Sequence, residues 1–254
     1  MSICDYDLIG CIGSPKAGTT FLYDCFHNDP RFSPFLTAAG HAQKEIYIWD
    51  KWSPRPGDPL YNDFKNKRPY SISQYYEWLN NSDKPCLDFS LNFREAYLHP
   101  DNVIDFTSRY KCKFMYILRD PVDVLISAIN FSELYGVITN SKKPVHLEKQ
   151  LKQGFGNHEG FTSLMNLPMT SKWVPAWQKV FPELVIIDYD RLHDGDYLNM
   201  KLGTSSEPIL FDLPKSNVTK NKKLKRELMD PESLTVLENF YAKDIEFNNA
   251  ILDK

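Results

Sequence analysis

Within eight residues the chain places Gly13-Ser14-Pro15-Lys16-Ala17-Gly18-Thr19-Thr20 between an apolar run and an apolar-periodic segment. A glycine turn that opens a helix after a strand aims backbone N–H groups and the positive end of the helix dipole at one point, which is an anion site. A nucleoside-triphosphate loop reads G-x-x-x-x-G-K-[ST], with its lysine on the β- and γ-phosphates and its hydroxyl on Mg²⁺. Here the two glycines keep that spacing, but Thr19 fills the lysine position and the only loop lysine is Lys16. The loop suits a single phosphate, with Lys16 directed at whatever is attached to it. A second candidate cluster is Arg119-Asp120-Pro121 with Ser127, eight residues beyond the arginine. Guanidinium is a planar fork suited to phosphate. One phosphate at Thr19 and Thr20 and another at Arg119 and Ser127 describe a nucleotide phosphorylated at two separate positions. Taken alone, each cluster is equally compatible with a capped turn, and Asp120 is the nearest acid that could hold Mg²⁺ beside the loop.

These residues need elements to hold them at one edge. Short apolar runs at 8–12, 45–49, 86–89, 113–118 and 184–188 read as buried strands. Segments of helical character lie at 19–26, 73–79, 102–110, 122–131, 175–181 and 231–252. Pro121 after Asp120 and Pro231 after Asp230 are suited to first helical turns, and Pro175 marks another start. Nearly continuous apolar strands alternating with helices predict an α/β fold: a central parallel β-sheet with helices on both faces. In such sheets ligands lie at the C-terminal edge of the strands. Residues 132–172, with four glycines and no clean periodicity, read as an acceptor-site or lid insertion.

The 254 residues fit one domain spanning 1–254, since no Gly/Ser-rich or Pro-rich linker divides them. Five scattered cysteines without a C-x-x-C pair argue for reduced thiols, and against both a disulfide framework and a zinc site. The first residues lack a basic leader, and no run approaches the roughly 20 apolar residues of a membrane span. The expectation is a cytoplasmic enzyme without a membrane partner. A net charge of −3 gives no support to nucleic acid as the main partner. Locally, residues 215–226 hold six basic side chains and no acid, which alone is a solvated basic loop.

Together "PKAGTTFLYDCF" and "LRDPVDVLIS" resemble the 5′- and 3′-phosphate motifs of sulfotransferases that use 3′-phosphoadenosine 5′-phosphosulfate. "KEIYIWD", "VFPELVIIDYDRL" and "NVTKNKKLKR" followed by "DPESLTVLENFY" are similar to segments of the heparan sulfate sulfotransferase branch. The resemblance implies that Pro15, Lys16, Ala17, Gly18, Thr19 and Thr20 hold the 5′ side of the donor and Arg119 and Ser127 its 3′-phosphate. Lys220, with Lys222 and Lys223, would close over the 3′-phosphate and adenine. The product would be 3′,5′-diphosphoadenosine, and the chemistry calls for no metal.

The displaced lysine then has a use, because charge builds on the oxygen that leaves with the 5′-phosphate and Lys16 can stabilise it. The family match points to Glu45 as general base, with Lys44 alongside. A carboxylate serves as a base where burial and neighbours raise its pKa toward neutrality. Tyr47, Asp50 and Asp88 are candidate acceptor contacts. Two positions depart from the family pattern: Phe89 stands where a lysine is frequent, in Asp88-Phe89-Ser90-Leu91, and Val124 replaces an arginine of the 3′-phosphate helix. Aromatic residues in 46–78 suit a sugar ring or a compact natural product, so the expected acceptor is a hydroxyl or amine of a small molecule or carbohydrate. The competing readings are a Mg-ATP-dependent small-molecule kinase and a nucleotide-binding scaffold without catalysis.

Overall fold

The computed structural model describes residues 2–36, 40–46, 72–90, 100–134, 166–204, 206–211 and 225–252. The apolar run before the loop forms β1 (Leu8–Gly13), all of whose residues are buried. Burial on both faces is what the centre of a parallel sheet requires. β1 pairs in parallel with β4 (Cys86–Asp88) on one side and β5 (Cys112–Leu118) on the other, so that Leu8 lies opposite both Cys86 and Cys112. With β2 (Ser33–Leu36), β3 (Ala42–Gln43) and β6 (Val185–Asp188), the sheet order is β3-β2-β4-β1-β5-β6. β2 runs parallel to β4, and β3 is antiparallel to β2. The α/β class and the parallel centre are as expected, but the sheet is mixed at the β3 end. Strand order diverges on either side of β1, and the chain leaves β1 at that switch point directly into the glycine loop. Close to that exit the β1–β5 register shifts between Cys11 and Gly13. A Cβ on Gly13 would stand 2.6 Å from the Tyr116 ring, so glycine is needed there for strand approach.

Eight α-helices occur among the described residues: α1 (Thr19–His27), α2 (Ile72–Asn81), α3 (Pro100–Arg109), α4 (Pro121–Leu134), α5 (Thr170–Val180), α6 (Gly195–Leu202), α7 (Pro231–Phe240) and α8 (Ala242–Leu252). They group with the strands into two compact units. One comprises Met1–Gly13, Gly18–Ile117 and Val174–Ser216, and holds most of the sheet. Its interior includes Phe26, Phe89 and Phe32, and Phe114 against Trp177. The other comprises Ser14–Ala17, Leu118–Trp173 and Asn217–Lys254. There Val122, Leu125, Ile126 and Ile129 recur at i, i+3, i+4 and i+7, giving α4 one apolar stripe that packs on Met229, Leu237 and Tyr241.

Four expectations need correction. No strand forms at Glu45–Ile46; the local pairing is Ala42 with Leu36 and Gln43 with Phe35, and residues 47–49 lie outside the described ones. α5 begins at Thr170, not Pro175, which lies inside it. Side chains of α8 make that early start possible: Asp244 accepts from the Ser171 N–H at 2.8 Å and Asn248 from the Thr170 hydroxyl at 2.6 Å. Pro175, in the second turn, cannot donate to the Ser171 carbonyl, so these bonds from α8 help to hold the turn that the proline weakens. The single helix expected over 231–252 breaks at Tyr241, whose ring is fully buried in the α4 cluster. β2 and α6 were not expected at all.

Candidate active site

In the sheet-bearing unit, Gly18 caps α1 in the left-handed conformation at φ 83°, and a Cβ there would collide with Leu192 Cδ2. Only glycine meets both demands without strain. Glycine has no side chain with which to cap, so the N-cap residue takes up none of the first-turn N–H groups, the arrangement that an anion site at a helix start uses. Thr19 is buried at the start of α1, and Thr20 is half-buried beside it. Lys44 Nζ donates to Thr19 Oγ1 at 3.0 Å and to Glu45 Oε1 at 3.1 Å. The expected base, its companion lysine and the loop threonine are therefore brought together on one ammonium group.

The backbone that carries the Lys44–Glu45 pair is fixed by the end of β4. Phe89 N–H donates to the Lys44 carbonyl at 3.0 Å, and Ile46 N–H donates to Ser90 Oγ at 2.8 Å. Gln43 Nε2 adds a bond to the Glu45 carbonyl at 2.9 Å. Asp88, expected as an acceptor contact, is completely buried behind this segment. Its carboxylate accepts from Ser90 N–H at 3.0 Å, from the Ser90 hydroxyl and from the Tyr75 hydroxyl at 3.2 Å. Burial pushes the Asp88 carboxyl up to about 7 even though these donors favour the ionised form. Burial, with Asp88 alongside, also raises the Tyr75 phenol well above its ordinary value, which keeps it a proton donor.

In the other unit the loop makes a tight turn, with Ala17 N–H on the Ser14 carbonyl at 3.2 Å. Lys16 is the one non-glycine residue with positive φ, at 63°, among those described. Strain of this kind persists where neighbours over-determine it. Here Arg119, at the end of β5, donates from Nη1 to the Lys16 carbonyl, so the two basic residues expected at different phosphates are coupled through the loop backbone. Lys16 Nζ lies 2.9 Å from the centroid of the Phe131 ring. Asp120 Oδ1 caps α4 by accepting from Val122 and Asp123 N–H, with Pro121 opening the helix as expected. It also meets Arg226 Nη1 at 3.0 Å, while Arg226 Nη2 reaches Glu238 at 2.7 Å. Arg226 thus ties the end of the basic run 215–226 to α4. Asp123 is raised, first by its own burial and then by Asp120. Ser127 is half-buried on α4, two turns beyond the cap. Pro15 and Ala17 are buried in the loop.

Tyr47, Asp50, Lys220, Lys222 and Lys223, expected at the site, lie outside the described residues, as does most of 132–172. Both departures from the family pattern have a packing reason. Phe89 is fully buried, edge-on to Tyr23 at 5.4 Å between ring centroids, where an ammonium group would be desolvated. Val124 is buried on α4. Ser90, Tyr75 and Phe131 have no role assigned from the sequence, and Arg226 enters there only as the end of the basic run 215–226. Ser90 shows in the sequence only through the segment Asp88-Phe89-Ser90-Leu91, where it keeps the Ser/Thr position of the family pattern. No cluster of three or more His, Cys, Asp or Glu with metal-ligand geometry occurs among the described residues. No helix there is long and apolar enough to cross a membrane. The described cysteines are free thiols, and burial pushes Cys11 and Cys86 up to about 12, which makes both poor nucleophiles.

Comparison with known proteins agrees with this layout. The family model described as a sulfotransferase domain matches residues 9–194. Among solved structures, a sulfotransferase from Alicyclobacillus acidocaldarius superposes with a TM-score of 0.62 at 16% identity, over 97% of this chain and 95% of that chain. At that identity the likeness establishes the fold. No match is found among curated protein sequences.

Proposed function

Since the chain belongs to the sulfotransferase-domain family, we propose that it transfers the sulfuryl group of 3′-phosphoadenosine 5′-phosphosulfate to a hydroxyl or amine of a small molecule or carbohydrate. The observation that carries this reading is the Lys44 ammonium, held at once by Thr19 of the phosphate loop and by the Glu45 carboxylate. A kinase loop of this spacing would carry its lysine at position 19 and its metal-binding hydroxyl next to it. Here a threonine occupies that place and a lysine from outside the loop reaches it, with a carboxylate 3.1 Å from the same nitrogen.

The residue types in each unit suit the donor. Thr19, Thr20 and the N–H groups of the first turn of α1 offer hydroxyls and amides to one phosphate, and Arg119 and Ser127 offer a fork and a hydroxyl to another. When bound, the donor supplies a sulfuryl group activated by its anhydride link to the 5′-phosphate. Lys16 supplies the cation for the negative charge that grows on the departing oxygen. Its ammonium rests on the Phe131 ring in the structure. A cation–π contact of about 0.5–2 kcal/mol is readily exchanged for a charged oxygen. Glu45 takes the proton from the acceptor hydroxyl or amine, and Lys44 holds the carboxylate in place and offsets its charge. Removing a positioned base typically lowers rate by roughly 10²–10⁴-fold, and removing a charge stabiliser by about 10²–10³-fold.

A thermal-shift comparison tests the donor class. A ligand of the native state at a hundred times its Kd adds about 3 kcal/mol of stability. Stabilisation by 3′,5′-diphosphoadenosine without Mg²⁺ is expected, with little effect of Mg-ATP. Stabilisation by Mg-ATP alone would replace the sulfotransferase reading of the loop with a kinase.

A further inference from the structure

We propose that Ser90 is a positioning residue for Glu45, with Asp88 and Tyr75 holding the Ser90 hydroxyl in the orientation that does this. The inference rests on the reading of Glu45 as the base. Glu45 lies between two backbone anchors of different kinds. On its N-terminal side the Lys44 carbonyl is held by the Phe89 N–H, a bond between main chains. On its C-terminal side the Ile46 N–H is held by a side chain, Ser90 Oγ, at 2.8 Å. Among the described residues no main-chain acceptor takes that N–H, so its hold rests on Ser90 Oγ with the Asp88 carboxylate behind it, while Gln43 Nε2 holds the carbonyl of the same peptide at 2.9 Å.

A serine hydroxyl has one hydrogen and two lone pairs. Its hydrogen goes to Asp88 Oδ1, which directs a lone pair at the Ile46 N–H. Asp88 Oδ1 also takes the Ser90 N–H, and Oδ2 takes the Tyr75 hydroxyl, so the carboxylate is held from both sides. Ser90 and Asp88 have no exposed surface, and Tyr75 is almost fully buried. Water cannot substitute for any of the three, and a half-satisfied buried network is unfavourable. The chain Tyr75–Asp88–Ser90–Ile46 thus converts the rigidity of β4 and α2 into a fixed backbone at Glu45. With both backbone flanks held and Oε1 on Lys44, little freedom remains to the carboxylate. Displacement of a reacting group by about 1 Å costs on the order of 10²-fold in rate.

The test uses the full chain with Ser90→Ala, Ser90→Thr, Glu45→Gln and the double variant Ser90→Ala/Glu45→Gln. Three quantities are measured: amide hydrogen exchange at Ile46, affinity for 3′,5′-diphosphoadenosine, and turnover of radiolabelled 3′-phosphoadenosine 5′-phosphosulfate with an extract of the source organism, read as label leaving the donor. Ser90→Ala is expected to expose the Ile46 amide to exchange and to lower kcat by about 10²-fold. Diphosphoadenosine affinity and donor KM stay at wild-type values, and Ser90→Thr retains both protection and rate. On the Glu45→Gln background the Ser90→Ala change costs nothing further, because there is no base left to misplace. An equal fold-loss on both backgrounds would reduce Ser90 to a purely structural role and overturn the proposal. So would an unchanged Ile46 amide or a wild-type rate in Ser90→Ala while Glu45→Gln is inactive. Full turnover in Glu45→Gln removes the base assignment itself, a failure that the Ile46 exchange result does not share.

Discussion

Asp88→Asn should change how stability depends on pH, because the wild-type carboxyl is fully buried and raised from 3.8 to about 7. The folded chain holds that proton more tightly than the unfolded chain does, so the stability tied to the neutral carboxyl is complete below the unfolded value. It is lost as pH rises toward and through about 7. A shift of roughly three pH units corresponds to about 4 kcal/mol over the whole window, and to about 3 kcal/mol between about pH 5 and about pH 8. That is a large share of the roughly 5–15 kcal/mol by which a domain is stable. Asparagine keeps the shape and cannot ionise, so urea unfolding of both proteins across this range isolates the effect. The stability of the wild type relative to Asp88→Asn should fall by about 3 kcal/mol from the acid to the alkaline end. Other carboxylates, Asp123 included, are common to both proteins and cancel. A difference that is flat with pH, or one that grows toward alkaline pH, would refute the claim that burial dominates at Asp88.

Other substitutions give further checks. Gly18→Ala places a Cβ against Leu192 and holds alanine at φ 83°, and should lower unfolding free energy by about 1–3 kcal/mol in urea titrations. Leu237→Ala empties a fully buried position in the α4 cluster, with an expected loss of about 2–5 kcal/mol and no change in diphosphoadenosine affinity per folded molecule. Arg119→Lys removes the planar fork that reaches the Lys16 carbonyl; calorimetry should show diphosphoadenosine affinity reduced by about 10-fold or more.

Much of this layout was legible in the sequence because its signals are local. The 8–12 run, the glycines at 13 and 18 and the Asp120-Pro121 start of α4 each act within a few residues, and they place the loop and the end of β5 correctly. What was not legible depends on partners far along the chain. α5 starts early because Asp244, 73 residues later, meets Ser171, and nothing near Thr170 announces it. Ser90 holds Ile46 across 44 residues, and Asp88 looks like an acceptor contact until its burial is known. β2 is four residues long and contains Pro34, a poor strand signal; it is held by pairing with β3 and β4. The family-type lysine missing at Phe89 is explained by the aromatic packing around Tyr23 and Phe26, which appears only after folding.

The most direct measurement of the central claim is transfer of label from radiolabelled 3′-phosphoadenosine 5′-phosphosulfate to an acceptor in an extract of the source organism. It should be run with wild type, Lys16→Ala and Glu45→Gln, each checked for cooperative unfolding. The account predicts a labelled acceptor with the wild type and near-complete loss, on the order of 10²-fold or more, with either variant. A labelled product formed equally well by both variants would contradict the roles assigned to the loop lysine and to Glu45.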